Sequence, residues 1–129
     1  MKPSSLGKVV IGTVYGDIHN IGKDLVAMLL GIEGFEIDDL GADVPTKKFT
    51  EAINSTCADI CAMSALMTTT APEIGRVVMS LKEARIRERV RILVGGAAVN
   101  NDLANDLGAD GYANTAPEGA KLARKLVAV

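Results

Sequence analysis

Histidine occurs once in this 129-residue sequence, cysteine twice, and aromatic side chains make up 3% of it. Each shortage removes a class of chemistry. With His19 as the one imidazole, and Asp17 and Asp24 as the nearby carboxylates, no recognisable ligand set for hydrolytic zinc exists. Cys57 and Cys61 form a single C-x-x-x-C pair without the further ligands a zinc site requires. Both sit in or beside an apolar run, which predicts small buried hydrophobes. Scarce aromatics leave the core to aliphatic side chains.

Long apolar runs are missing too. Charge or glycine interrupts every stretch well before the roughly 18 residues of a membrane span. The opening Met1-Lys2-Pro3-Ser4-Ser5 has no apolar segment behind it, so no signal peptide is read, and a cytoplasmic, reducing compartment is the expectation. No excess of basic residues exists either. The formal charge is −2, which argues against a nucleic-acid surface. The one basic cluster, residues 82–91, contains Glu83 and Glu88 and reads as a solvated helix end.

What remains is an apolar fraction of 48% with 23% charge, the balance of a globular protein. The length suits a single domain over residues 1–129. Residues 8–14 form a continuous β-branched run, as in a strand covered on both faces. Leu25, Val26, Met28, Leu29, Leu30 and Ile32 then make a broad apolar helical face, ended by Gly31 and Gly34. Residues 35–40 alternate with period two, as in an edge strand, and residues 41–46 read as a loop leading into a helix over 46–55. Further strands are expected at 57–64, 91–94 and 111–113, with helices from Pro72, over 100–107 and over 117–127. The alternation predicts an α/β domain: a doubly wound, flavodoxin-like, five-stranded parallel sheet in the order 2-1-3-4-5, with helices on both faces. His19, residues 64–70, Gly95-Gly96 and residues 112–116 then fall on one edge, where open α/β sheets bind ligands.

Gly16-Asp17-Ile18-His19-Asn20-Ile21-Gly22 is the most informative stretch on that edge. A histidine there could be a metal ligand, a general base or a structural residue. Asp17, two residues earlier, is placed to accept the second ring N–H of a ligating imidazole and fix its tautomer. Ser64 lacks the G-x-S-x-G setting of a nucleophile, and the glycines spell neither G-x-G-x-x-G nor a P-loop. One protein ligand suffices only for a metal already held in a macrocycle.

Asp17-x-His19-x-x-Gly22, followed by Ser64-x-Leu66 and Gly95-Gly96, resembles the signature of cobalamin-binding domains of the methionine synthase type. The run of residues from Gly12 to Lys23, and again from Met63 to Thr70, is similar to that of corrinoid proteins of methanol, methylamine and methoxyaromatic methyltransferase systems. The likeness runs from about residue 7 to the end. It implies a cobalamin or related corrinoid whose cobalt takes His19 as lower axial ligand, with the nucleotide tail in a slot between sheet and helices. Asp17 would accept from His19, and Thr70 would complete a ligand relay. Ser64 and Thr68 would hydrogen-bond near the nucleotide base, and Leu66 would pack on the tail. Tyr112, Ala113, Asn114, Thr115 and Ala116 would touch the nucleotide loop, although relatives commonly carry aspartate where Asn114 stands. Gly16, Ile18, Asn20, Ile21 and Gly22 would complete the cofactor loop. Thr69 reads equally as part of a helix-capping run. Gly12, Gly16, Gly22, Gly41, Gly95, Gly96 and Ala97 would let backbone approach the ligand, the Gly95-Gly96 pair above all.

The resemblance implies a methyl carrier working with donor-specific and acceptor-specific partner methyltransferases. Relatives place a helical domain before the corrinoid domain; with the first strand at residue 8, the expectation is either that only the lower half is supplied here or that a partner caps the upper face. Two alternatives stand beside it. One is a small cobalamin-binding subunit of an adenosylcobalamin-dependent mutase, which the threonine-rich Thr68-Thr69-Thr70 disfavours. The other is a flavodoxin-like signalling or FMN-binding domain.

Overall fold

The structure, a computed structural model, describes residues 5–127. Five parallel strands, β1 (Lys8–Val14), β2 (Glu36–Val44), β3 (Ile60–Ser64), β4 (Arg91–Gly95) and β5 (Gly111–Tyr112), stand in the order β2-β1-β3-β4-β5. The helices are α1 (Ile21–Glu33), α2 (Thr46–Thr56), α3 (Pro72–Glu83), α4 (Asn101–Leu107) and α5 (Ala116–Val127). This is the expected flavodoxin-like architecture.

Burial on both faces explains why the central strands read as uninterrupted apolar runs. Val9, Ile11, Ile60, Ala62 and Leu93 pack with Leu30 of α1 and Ala120 and Ala123 of α5. Val10, Val14, Cys61, Met63, Ile92 and Val94 face the other way, onto Phe49 and Ile53 of α2 and Ile74, Val77 and Leu81 of α3. The core is aliphatic apart from Phe49 and Phe35. Because every strand points the same way, the loops after β1, β3, β4 and β5 share one edge.

Several expectations are corrected. The segment 41–44 is strand, not loop: β2 continues to Val44, and two register shifts against β1 absorb its extra residues. β3 begins at Ile60, because Cys57 caps α2 in a left-handed conformation (φ 54°) and is exposed, while only Cys61 is buried. The apolar face of α1 is wider than the sheet covers: Leu30 is buried, but Leu25, Met28 and Ile32 are 43%, 54% and 75% exposed. The basic cluster is not simply solvated, since Arg87 bonds the carbonyls of Val90 and Gly108 and the carboxylate of Asp110, tying the chain before β4 to the one before β5. No helix among the described residues is long and apolar enough to cross a membrane.

Candidate functional site

β1 delivers the chain to the edge at Val14, where the Asp17 N–H bonds back to the Val14 carbonyl (3.1 Å) and Gly16 turns at φ 85°. The loop then presents His19 before α1 begins. Buried Thr13 holds it from beneath, its hydroxyl donating to the His19 carbonyl at 2.9 Å. Asp17 is wholly buried, and its carboxylate meets four donors. Oδ1 accepts from the His19 N–H (3.1 Å) and lies 2.6 Å from His19 Nδ1. Oδ2 accepts from the Leu66 N–H and the Thr70 hydroxyl, each at 2.8 Å.

Burial alone would raise the pKa of Asp17, but the hydrogen bonds from the Leu66 N–H, the His19 ring, the Thr70 hydroxyl and the His19 N–H outweigh it and hold the carboxyl well below the usual carboxylate range. An ionised carboxylate can only accept, so Nδ1 of His19 carries a proton, and in the neutral ring the lone pair is on Nε2. The His19 side chain is 49% exposed, so an outside ligand can reach the ring. Among the described residues no group of three or more His, Cys, Asp or Glu side chains is placed to hold a metal ion.

Beside this cluster, a cavity of about 490 Å³ opens between the sheet and helices α1 and α5. Ile11, Ala62 and Leu93 form part of its apolar wall, and Ser64 and Thr115 contribute hydroxyls. Leu66 joins the two parts of the site: its N–H bonds Asp17, and the residue also lines the cavity.

The residues expected from the sequence divide between these two places. Asp17, His19 and Thr70 form the hydrogen-bonded cluster. Gly22, Ser64, Leu66, Gly95, Gly96, Tyr112, Ala113, Asn114, Thr115 and Ala116 line the cavity. Ile18 and Ile21 are 77% and 89% exposed and lie outside it, as does exposed Thr68. Asn20 makes no side-chain cap to α1, and its buried Oδ1 has no partner among the described residues. Thr69 is exposed, and α3 starts from Ala71 with no side-chain cap at all.

Several of the glycines answer to the packing of the protein itself before any ligand. Gly12, Gly16 and Gly41 do not line the cavity, and a Cβ on Gly12 would press on the Phe49 ring at 3.0 Å, on the opposite face of the sheet. Gly95 and Gly96 do line it, yet backbone crowding constrains them first. A Cβ on Gly95 would stand 3.0 Å from the Ala113 carbonyl oxygen, and one on Gly96, at φ 117°, would collide with the Ala65 carbonyl.

Lys23, Asp43 and Gly119 carry no local sequence sign of their place here. Lys23 is 4% exposed, lines the cavity, and bonds Asp24 (2.6 Å) and Asp39 (2.8 and 2.9 Å). Burial works to lower its pKa, but the two aspartates prevail and raise it, so the ammonium is retained. Gly119, buried in α5, lines the cavity, and a Cβ there would meet Ala113 and Val26 at ordinary contact distances.

A family model described as the B12 binding domain matches residues 7–121. Trimethylamine corrinoid protein 1 of Methanosarcina acetivorans is 52% identical over 114 residues, covering 88% of this chain and 53% of that protein. Among solved structures, the Methanosarcina barkeri monomethylamine corrinoid protein superposes with a TM-score of 0.86 at 37% identity, over 92% of this chain and 57% of that one. The methanol:cobalamin methyltransferase complex MtaBC of Methanosarcina barkeri gives 0.90 at 34% identity, over 98% of this chain and 48% of that one. The chain spans about half the length of these relatives. With its Asp17–His19 pair standing on the edge of a parallel sheet and the match covering all five strands of that sheet, this chain belongs to the B12-binding domain family.

Proposed function

We propose that this chain binds a corrinoid and carries a methyl group on its cobalt between partner methyltransferases, one donor-specific and one acceptor-specific. The observation that carries the reading is the Asp17–His19 pair: a half-exposed imidazole whose Nδ1 is committed to a buried carboxylate at 2.6 Å, beside a glycine-lined cavity. A single imidazole, with no companion ligand set among the described residues, suits a metal that arrives in its own ring. Such a corrinoid supplies a cobalt centre able to accept and yield a methyl group.

The chain's own residues do the rest. His19 Nε2 would be the atom that holds the cobalt. Asp17 keeps the Nδ1 proton in place and strengthens the donor, and Thr70 and the Leu66 N–H fix the carboxylate. Asp17 would keep the ring oriented through Nδ1 whether or not Nε2 is engaged by the metal. The cavity would hold the nucleotide tail, with Ser64 and Thr115 available as polar contacts and Leu66 on its wall. Gly95 and Gly96 give the tail a wall without side chains. Tyr15, Ile18, Ile21 and Met67, all exposed and close to His19 or Asp17 in sequence or through the Thr70 loop, support a corrinoid face that a capping partner covers. We read residues 5–127 as one such domain. The mutase-subunit alternative is not favoured, since the relatives are methylamine corrinoid proteins and a methyltransferase complex. Substrate choice rests with the partner enzymes.

Reconstitution with hydroxocobalamin tests this directly. The expected product is coloured, contains cobalt, and changes its visible spectrum in His19→Gly while circular dichroism stays that of the parent. An identical spectrum in the variant overturns the axial-ligand role. Methyl transfer to cobalt by a methylamine or methanol methyltransferase tests the carrier role.

A further inference from the structure

Three features remain unaccounted for by cofactor binding alone, and they meet on one element. The pairing of β2 with β1 slips twice, between the pairs Ile11↔Asp39 and Gly12↔Gly41 and again before Val14↔Val44. Asp43, at the second slip, has φ 53°, uncommon for a residue with a side chain. A lysine, Lys23, is buried in the first turn of α1.

Bulges re-aim the side chains of a strand, and here they aim two carboxylates at the loop that bears His19. Asp43 reaches its entry twice: its N–H donates to the Asp17 carbonyl and its Oδ1 accepts the Gly16 N–H, both at 2.8 Å. Asp39 reaches its exit, taking Lys23 Nζ on both oxygens at 2.8 and 2.9 Å while Oδ1 also accepts the Gly41 N–H of the bulge (2.9 Å). Residues 16–23 thus hang at both ends from the edge strand. The Thr13 hydroxyl and the Asp17 carboxylate hold only the middle.

We propose that the bulged half of β2 is a latch that sets the position of the His19 imidazole, with Asp43 as its principal positioning residue. Asp43 itself touches no ligand; it acts through the Gly16-Asp17 turn. The consequence for corrinoid affinity rests on the axial-ligand role of His19, while the positioning itself does not.

The single histidine makes the test clean, because a ¹⁵N-labelled sample gives one imidazole spin system. In the ligand-free protein at a fixed pH the expected signal is the Nδ1–H tautomer alone. Asp43→Ala is expected to bring in the second tautomer and to weaken hydroxocobalamin binding about tenfold, the low end of what loss of a ligand-orienting partner costs. Asp43→Gly keeps the left-handed backbone without the carboxylate, so it folds and shows the same defect. Asp43→Asn retains an acceptor for the Gly16 N–H and restores the parent behaviour. Parent-like imidazole signals and affinity in both Asp43→Ala and Asp43→Gly would overturn the latch. Should the hydroxocobalamin spectrum of the parent be indifferent to His19→Gly, the axial-ligand role fails by itself, and the ligand-free imidazole signals of the Asp43 variants decide the latch.

Discussion

Thr70 and Asp17, 53 positions apart in the chain, meet through a 2.8 Å hydrogen bond from the threonine hydroxyl to Asp17 Oδ2, with neither residue more than 5% exposed. The contact joins the loop after β3 to the loop after β1. Together with the Leu66 N–H it consumes one oxygen of the carboxylate and leaves the other to His19.

Replacing that carboxylate is expected to be costly. Asp17→Asn puts an NH₂ where four donors converge, so it faces either the Leu66 N–H and Thr70 hydroxyl or the two His19 donors. Loss of about 3 kcal/mol is expected in urea denaturation of the ligand-free protein.

The hydroxyl of Thr70 can be removed at nearly constant shape. Thr70→Val is expected to lose about 1–2 kcal/mol by the same measurement, because a buried acceptor is left short of one bond. Thr70→Ser keeps the O–H and should recover most of that loss. A Thr70→Val variant as stable as the parent, with Thr70→Ser the weaker of the two, would show that the methyl, not the hydroxyl, matters.

The two cysteines should separate by reactivity. Burial pushes the Cys61 thiol up to about 12, with Arg87 opposing only weakly, so it stays protonated and enclosed through pH 9. Cys57 is exposed at the end of α2. Native protein treated with iodoacetamide should therefore gain one adduct, at Cys57 by peptide mass spectrometry, and gain the second only after unfolding.

Two glycines on the cavity wall should respond in opposite senses. Gly96→Ala meets both a φ of 117° and the Ala65 backbone, and is expected to destabilise by about 3 kcal/mol or fail to accumulate as folded protein. Gly22→Ala, in the first turn of α1 with nothing within 4 Å of the new Cβ, should stabilise the ligand-free chain by about 0.5 kcal/mol. It should nonetheless bind hydroxocobalamin more weakly, as measured by titration, because Gly22 lines the cavity.

The sheet was legible because strands buried on both faces have no period to conceal: residues 9–14 can be little else. Asp17, His19 and Thr70 were legible through the spacing of a familiar motif, and the fold brings them together. Much of the remaining geometry was not. Alternation in β2 breaks at Leu40-Gly41, which reads as the end of a strand; only the distant pairing partner β1 carries it on to Val44. A lysine in the first turn of a helix reads as solvated, since nothing local reports that Asp39 waits across the edge of the sheet. Cys57 looked like core because an apolar run follows it, but residue identity does not announce a left-handed cap. The glycines read as close approaches to a ligand, but a Cβ at Gly12, Gly95 or Gly96 would already crowd Phe49, Ala113 or Ala65, and one at Gly22 or Gly41 would meet nothing within 4 Å.

The bulged edge has a further consequence. Parallel α/β domains end in strands whose outer backbone groups can recruit another sheet, and this one terminates in β2 on one side and the two-residue β5 on the other. β5 is too short to template a neighbour. β2 is long enough, but it is interrupted twice and carries Glu36, Asp38, Asp39 and Asp43 along its nine residues. An irregular, acidic border is a poor surface for strand addition. The same distortion that turns two aspartates toward the histidine loop also closes the sheet to its own kind.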